Sequence, residues 1–288
     1  MACLTPQDFL RRDIDYLAGV IGERNVYCYP KLCEAAAFIE ESFRQSGYRP
    51  VRQEYEARDK KFFNIEVEIR GEDLAHEIIV VGAHYDTERG SPGADDNGSG
   101  VAAVLALSRW FADKKPRRTL RFVAFANEER PFLRTEKMGS RVYARRCRER
   151  GENIVAMFSL EMLGCYSEER GSQWLSFFGL LYPSQGNFIL FASNPSSRTL
   201  LRQATESFRQ HTDVRYETIT LPGFLPGARS SDHWSFWQEG YRALMLTDTA
   251  ALRYRHYHKG SDTADKINYA FLAGICEGVK GLLANLVD

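Results

Sequence analysis

The sequence predicts an α/β fold: a single domain over residues 1–288, with a mixed, mostly parallel central sheet flanked by helices. Three observations carry that prediction. Short β-branched apolar runs such as Ile78-Ile79-Val80-Val81 alternate along the chain with amphipathic helical segments, the pattern of strands buried on both faces. Several of these runs end in acids or histidines, and strand carboxyl ends are where open α/β sheets hold their ligands. No linker and no internal repeat divides the chain.

The elements follow in order. Thr5-Pro6-Gln7-Asp8 reads as an N-cap, a proline in the first turn and an acidic helix start. Phe9, Leu10, Ile14 and Leu17 then share a face, and Gly19 is the expected stop. A second helix is expected over 31–46, with Leu32, Ala36, Ile39 and Phe43 inward and Gly47 as its C-cap. Strands are expected over 49–55, 62–70 and 77–81, then a helix over 98–111 and a strand over 119–126. A helix over 139–150 and a strand over 153–160 come next. The pattern breaks down over 165–185, where Trp174, Phe177, Phe178 and Leu180 fall without period. A strand over 187–192 and a helix over 199–210 precede a Pro/Gly-rich loop over 218–229. A short helix over 232–238, a strand over 242–247 and a long helix over 266–287 close the chain.

Composition excludes some classes. Lys+Arg and Asp+Glu both number 38, so there is none of the basic excess that a polyanionic partner selects, and nucleic-acid binding is not expected. No apolar run reaches the roughly 18 residues that cross a bilayer, so no membrane partner is expected. Met1-Ala2-Cys3-Leu4 opens neither a basic nor an apolar leader, which makes a cytoplasmic location the expectation, with export open if a leader has been trimmed. The six cysteines are scattered without a CxxC pair, as buried free thiols in a reducing compartment would be; a Cys28–Cys33 bridge is the alternative for an exported chain.

Chemistry concentrates at the strand ends. The run ending at Ala83 leads into His84-Tyr85-Asp86-Thr87, a turn-rich stretch over 88–93, and Ala94-Asp95-Asp96-Asn97-Gly98-Ser99-Gly100. The run ending at Ala126 leads to Asn127-Glu128-Glu129, and the run ending at Leu160 leads to Glu161. Ser231-Asp232-His233 precedes the last strand, and His256-Tyr257-His258 follows it. Any one of these reads equally as a solvated loop acid or a helix cap. Their repetition at successive strand ends, in a chain with six histidines, is the signal.

Together with Met138-Gly139-Ser140 and Ser261-Asp262-Thr263, these blocks resemble the dizinc aminopeptidases of metallopeptidase family 28 from about residue 17 to about residue 272. The resemblance implies the three-layer sandwich of zinc exopeptidases. It also implies two Zn²⁺ per chain, with Co²⁺ or Mn²⁺ as substitutes, and imidazole and carboxylate donors suit those ions. By the same resemblance His84, Asp96 and Glu161 would hold one metal, Asp96, Glu129 and His258 the other, and Asp96 would bridge. Asp86 resembles the acid that orients the ligand imidazole, and the i, i+2 spacing from His84 permits it. Glu128 matches the general base that would deprotonate a metal-bridging water, and Tyr257 resembles an oxyanion-stabilising tyrosine. The peptide bond after Asp96 is cis in relatives, so a cis Asp96–Asn97 bond is expected here.

Two positions depart from the pattern. Glu161 stands where many relatives have Asp, and Lys259-Gly260 replaces a common Thr-Pro. Neither removes a ligand type. His233 reads as a pocket-lining or helix-start residue and His256 as a structural or rim residue. The aromatic stretch 174–182 and the loop 221–227 read either as walls of an apolar pocket or as plain core. The implied activity is release of the N-terminal residue from peptides with a free amine. A glutaminyl-peptide cyclotransferase, which would use one zinc for intramolecular acyl transfer, and a non-catalytic relative are the alternatives. The complete ligand set disfavours both. Nothing in the sequence selects an oligomeric state or a preferred N-terminal residue.

Overall fold

A computed structural model describes residues 5–174 and 183–288. These residues build one eight-stranded sheet. The first helix, α1 (Pro6–Ile14), opens with the Thr5–Asp8 capping box. The chain then stays helical, more loosely wound, through Asp15–Ile21 and turns off at Gly22, whose φ of 75° suits glycine. Gly19 therefore does not end the helix: burial of Leu17, Ala18 and Ile21 outweighs its weak helix propensity. α2 (Tyr29–Gln45) follows, then β1 (Val51–Ala57), β2 (Lys60–Ile69) and β3 (Leu74–His84). Next come α3 (Gly100–Phe111), β4 (Arg118–Phe125), α4 (Gly139–Glu149) and β5 (Asn153–Glu161). The last third contributes β6 (Ile189–Ser193), α5 (Arg198–Phe208), β7 (Tyr216–Thr220), α6 (His233–Gln238), β8 (Ala243–Thr247) and α7 (Tyr269–Val287).

The strand order is β1-β2-β4-β3-β5-β8-β6-β7. Four of the seven pairings are parallel, so the expected mixed, mostly parallel sheet is what forms. Strand β3 explains the layering. Its alternation sends Ile79, Val81 and Ala83 into a core shared with α1, α2, α3, α5 and α7. Ile78 and Val80 face the other way, into a smaller core with Tyr143 of α4 and Phe236 of α6. A strand buried on both faces has no room for a polar side chain, and each large apolar residue in it contributes about 1.5–3 kcal/mol. The first buried polar side chain of β3 comes at its end, at His84.

Three expectations need correction. The loop expected over 218–229 conceals part of β7, a five-residue edge strand pairing in parallel with β6. Its half-buried Tyr-Glu-Thr-Ile-Thr has no apolar run, and its partner strand decides its conformation. The final helix starts at Tyr269 rather than 266, because the Asn268 side chain accepts the Phe271 N–H (3.0 Å) and caps it. By length and composition α7 is apolar enough to cross a bilayer, contrary to the reading that no segment is. It lies against α1, α3 and α5, with Leu272, Ile275, Val279 and Leu282 in the larger core. The five described cysteines are free thiols, Cys147 and Cys276 buried and Cys28, Cys33 and Cys165 half-buried.

Candidate metal centre

Strands β4, β3, β5 and β8 lie side by side, so their carboxyl ends form one row. His84 is the last residue of β3 and Glu161 the last of β5. Glu128 and Glu129 follow β4, and His258 lies in the loop after β8. Asp96 sits in the tight turn before α3, where the Asp96–Asn97 peptide is cis, as expected. The chain turns sharply at three of these places: Asn127 (φ 60°), Met162 (φ 49°) and His258 (φ 56°) are all left-handed. Such conformations cost non-glycine residues about 1–3 kcal/mol each and persist where surroundings enforce them.

Asp96 is the centre of the arrangement. Its Oδ1 lies 3.4 Å from His84 Nε2 and its Oδ2 lies 3.1 Å from His258 Nε2. His84 Nε2 also lies 3.4 Å from the Glu161 carboxylate and 3.9 Å from Glu128 Oε2. His258 Nε2 lies 3.2 Å from Glu129 Oε1. Among the described residues two groups of potential metal-donor atoms, each mutually within 4.8 Å, result: His84 with Asp96 and Glu161, and Glu129 with His258 and Glu88. Seven of the eight side chains singled out in the sequence thus meet in one place, and Asp86 stands behind them. Glu88 was read only as part of a turn. The alternation His84, Asp86, Glu88 was the available clue.

Buried polar groups hold these side chains in position. Asp86 accepts the N–H of Glu128 at Oδ1 (2.9 Å) and of Glu129 at Oδ2 (3.0 Å), and its Oδ1 is 3.5 Å from His84 Nδ1. Asp262 accepts the N–H groups of Asp95 (2.9 Å) and Asp96 (3.1 Å). Ser231 Oγ donates to Glu161 Oε2 (2.6 Å). Asn97 donates to Leu160 O (2.9 Å) and accepts from Met162 N (3.1 Å), tying the Asp96 turn to the end of β5. Gly100 allows that approach: a Cβ there would lie 2.3 Å from Leu160 O.

Arg24 is a contributor that the sequence did not disclose. It is fully buried, and burial lowers its pKa to about 10, which still leaves it charged at neutral pH. Its guanidinium donates to the carbonyls of Tyr85 (2.7 Å), Pro92 (2.6 Å) and Gly93 (2.9 Å), and also to Leu17 and Gly22. The two segments that carry His84 and Asp96 are thereby pinned to the amino-terminal region.

The electrostatics call for a cation. Among the described residues no Lys or Arg pairs with Asp96, Glu128, Glu129 or Glu161, whose ionic partners are the two imidazoles. Like charges about 4 Å apart repel by about 4 kcal/mol at an effective dielectric of 20, so the bare cluster is costly. The titrations reflect this. Burial pushes Glu128 well above the ordinary carboxylate range; Glu129, Glu161 and Asp232 push it further, against the pull of His84. Burial and the Asp96 charge take Glu129 up to about 8. Burial works to lower the imidazoles, yet the surrounding acids win: His84 is raised well above its usual value and His258 to about 10. Burial opposes the Asp96 charge, but His258 and His84 outweigh it and hold this carboxyl low. Glu128 Oε1 and Glu129 Oε1 are buried without a hydrogen-bond partner. Orphaned carboxylate oxygens facing imidazoles fit a borderline divalent cation such as zinc.

These side chains open into a cavity of about 220 Å³. Tyr257 lines it and stacks on His258, with ring centroids 3.7 Å apart. Burial and the nearby acids hold its phenol well above the ordinary value, so the hydroxyl stays a donor. His233 starts α6 and is fully buried, its Nε2 3.2 Å from Ala228 O. His256 is half-buried, its Nδ1 2.9 Å from Ser261 Oγ, and is not among the residues that line this cavity. Leu221 packs against the smaller core, whereas Phe224 is 71% exposed. Of the aromatic stretch over 174–182, Trp174 is exposed and the rest lies outside the described residues.

The model of peptidase family M28 matches residues 64–282. The uncharacterized protein YfbL of Escherichia coli K12 is 34% identical over 286 residues, covering 96% of this chain and 87% of YfbL. Among solved structures, BSAP, a zinc aminopeptidase from Bacillus subtilis, superposes with a TM-score of 0.79 at 15% identity, covering 98% of this chain and 95% of BSAP. A glutaminyl cyclase from Fimbriiglobus ruber gives a TM-score of 0.70 at 18% identity, covering 98% of this chain and 95% of the cyclase.

Proposed function

The chain belongs to peptidase family M28, and from that premise we propose that it is a two-zinc aminopeptidase, removing the first residue from peptides with a free amino terminus. One observation carries the reading: the two oxygens of Asp96 face two different imidazoles, each of which has a further carboxylate of its own. His84, Asp96 and Glu161 would hold one zinc, and Asp96, Glu129 and His258 the other.

Bound there, the ions would supply Lewis-acid polarisation of the scissile carbonyl and make water a nucleophile near neutral pH. The remaining chemistry falls to the chain. Glu128, raised by burial and carrying an unpartnered oxygen, is suited to take the proton of the attacking water as its oxygen bonds to the carbonyl carbon. The same proton passes to the departing nitrogen as the C–N bond breaks. Tyr257 has a protonated hydroxyl on the cavity wall, suited to donating to the developing oxyanion. Asp86 holds the Glu128–Glu129 backbone, so base and ligand keep their separation. An acid-lined cavity favours a protonated amine over a blocked one.

The likeness to a glutaminyl cyclase keeps intramolecular acyl transfer as the second reading. The paired ligand set argues against it, because a one-zinc enzyme has no use for both clusters. A panel of free and N-blocked aminoacyl substrates, plus a peptide beginning with glutamine, assayed on metal-free and zinc-loaded protein, separates the two. Zinc-dependent release of the first residue from free substrates alone supports the aminopeptidase. Cyclisation of the glutamine peptide without hydrolysis would overturn it.

A further inference from the structure

We propose that Glu88 is the positioning residue of His258, the counterpart of Asp86 beside His84, and that it sets the affinity of the second metal position; the proposal rests on the two-metal reading above. The two imidazoles are arranged alike. His84 turns Nε2 toward Asp96 Oδ1 (3.4 Å) and Nδ1 toward Asp86, whose backbone carbonyl lies at 3.1 Å and whose Oδ1 lies at 3.5 Å. His258 turns Nε2 toward Asp96 Oδ2 (3.1 Å) and Glu129 Oε1 (3.2 Å), and Nδ1 toward Glu88 Oε2 (3.9 Å). Asp86 and Glu88 lie two residues apart on the one segment that leaves β3.

The need for such a residue differs between the two histidines. His84 is sealed in the core at 1% exposure, and packing alone confines its ring. The His258 side chain is 30% exposed on a loop, and Tyr257 stacks on its ring. Stacking permits rotation of the ring in its own plane, and the charge of Glu88, 3.9 Å from Nδ1, opposes it. Glu88 is itself fixed: its Oε1 accepts the N–H of Arg89 (2.9 Å), which leaves Oε2 to face the imidazole. A carboxylate at that edge favours the tautomer with hydrogen on Nδ1 and leaves the Nε2 lone pair directed at Asp96 and Glu129.

The test is calorimetric titration of zinc into metal-free protein, for wild type, Glu88→Gln and Glu88→Asp. His258→Ala identifies which binding step belongs to the second position. Glu88→Gln is expected to weaken that step by about 10–100-fold, the usual effect of losing a carboxylate behind a ligand histidine. The other step and the thermal midpoint of the metal-free protein stay as in wild type, and Glu88→Asp recovers part of the loss. Wild-type affinities at both steps in Glu88→Gln would overturn the assignment. So would equal weakening of both steps with a lowered midpoint, which marks a general structural role. If wild-type protein takes up a single ion, the two-metal reading falls first and this assignment with it.

Discussion

The carboxylate of Asp86 spans two consecutive backbone N–H groups, Glu128 at 2.9 Å and Glu129 at 3.0 Å. One side chain leaving β3 therefore fixes the acidic pair leaving β4, with its Oδ1 3.5 Å from the His84 ring. All of these groups are buried, so none can exchange its partner for water. Asp86→Asn keeps the shape but presents an NH₂ to one of the two N–H donors. An unmade hydrogen bond at a buried group costs about 1–3 kcal/mol. We expect Asp86→Asn to weaken zinc binding by about 10–100-fold, read by competition with a chelator. Unchanged zinc affinity would mean that Asp86 is not the support of this pair.

Arg24 should prove as sensitive as the ligands, although it touches none of them. Its five hydrogen bonds all end on carbonyl oxygens, two of them at Pro92 and Gly93 just before the Asp96 turn. Lysine carries the same charge but has no planar fork, and it leaves some of those carbonyls unpaired. Arg24→Lys is expected to lose about 2 kcal/mol or more in urea unfolding, with weaker zinc uptake in the protein that remains folded. A variant as stable as wild type would show that the carbonyls find other donors.

Much of the site was legible because its residues interrupt something regular. His84 and Glu161 each end an apolar run, and Glu128 and Glu129 follow one, so a change of chemistry marked each position. The sheet was legible for the same reason, since β3, β4 and β5 are buried on both faces and permit little besides apolar residues. Arg24 was not legible. An isolated arginine between glutamate and asparagine reads as a surface residue, and backbone carbonyls have no sequence signature. Glu88 was lost in a stretch read as turn, because its partner His258 lies far along the chain. β7 escaped because an edge strand takes its conformation from its neighbour β6.

His233 gives the fold an acid sensitivity independent of the metal ligands. Burial pushes its pKa down to about 3, against a slight rise from the Ala228 carbonyl. Between about pH 3 and 6.5 the unfolded chain therefore binds a proton that the folded chain refuses. The stability contributed by neutral His233 is complete above pH 6.5 and is lost as pH falls through that window. The slope from one such group is at most about 1.4 kcal/mol per pH unit. Its ring lies edge-on to Trp237, so phenylalanine is the nearest replacement in shape. His233→Phe is expected to show a shallower loss of stability between pH 6 and 4 in urea titrations. Parallel pH profiles for the two proteins would remove His233 from the account.

Under the proposed two-zinc mechanism, the adjacent pair Glu128 and Glu129 separates catalysis from metal binding most directly. They are neighbours in sequence but face different imidazoles: Glu128 Oε2 is 3.9 Å from His84 Nε2, and Glu129 Oε1 is 3.2 Å from His258 Nε2. Glu128→Gln retains size and a hydrogen-bonding tip but cannot accept the proton of the attacking water. A positioned general base contributes about 10²–10⁴-fold, so kcat should fall by at least that range's lower end. KM should move far less, since the group acts in the transition state, and zinc content should stay at the wild-type level. Glu129→Gln should lose zinc together with activity, because a neutral amide is a poor substitute for a carboxylate ligand. Adding zinc in excess distinguishes the two again: it should restore part of the activity of Glu129→Gln and none of that of Glu128→Gln. The reverse pattern, with Glu128→Gln losing zinc and Glu129→Gln inactive yet fully loaded, would exchange the two roles.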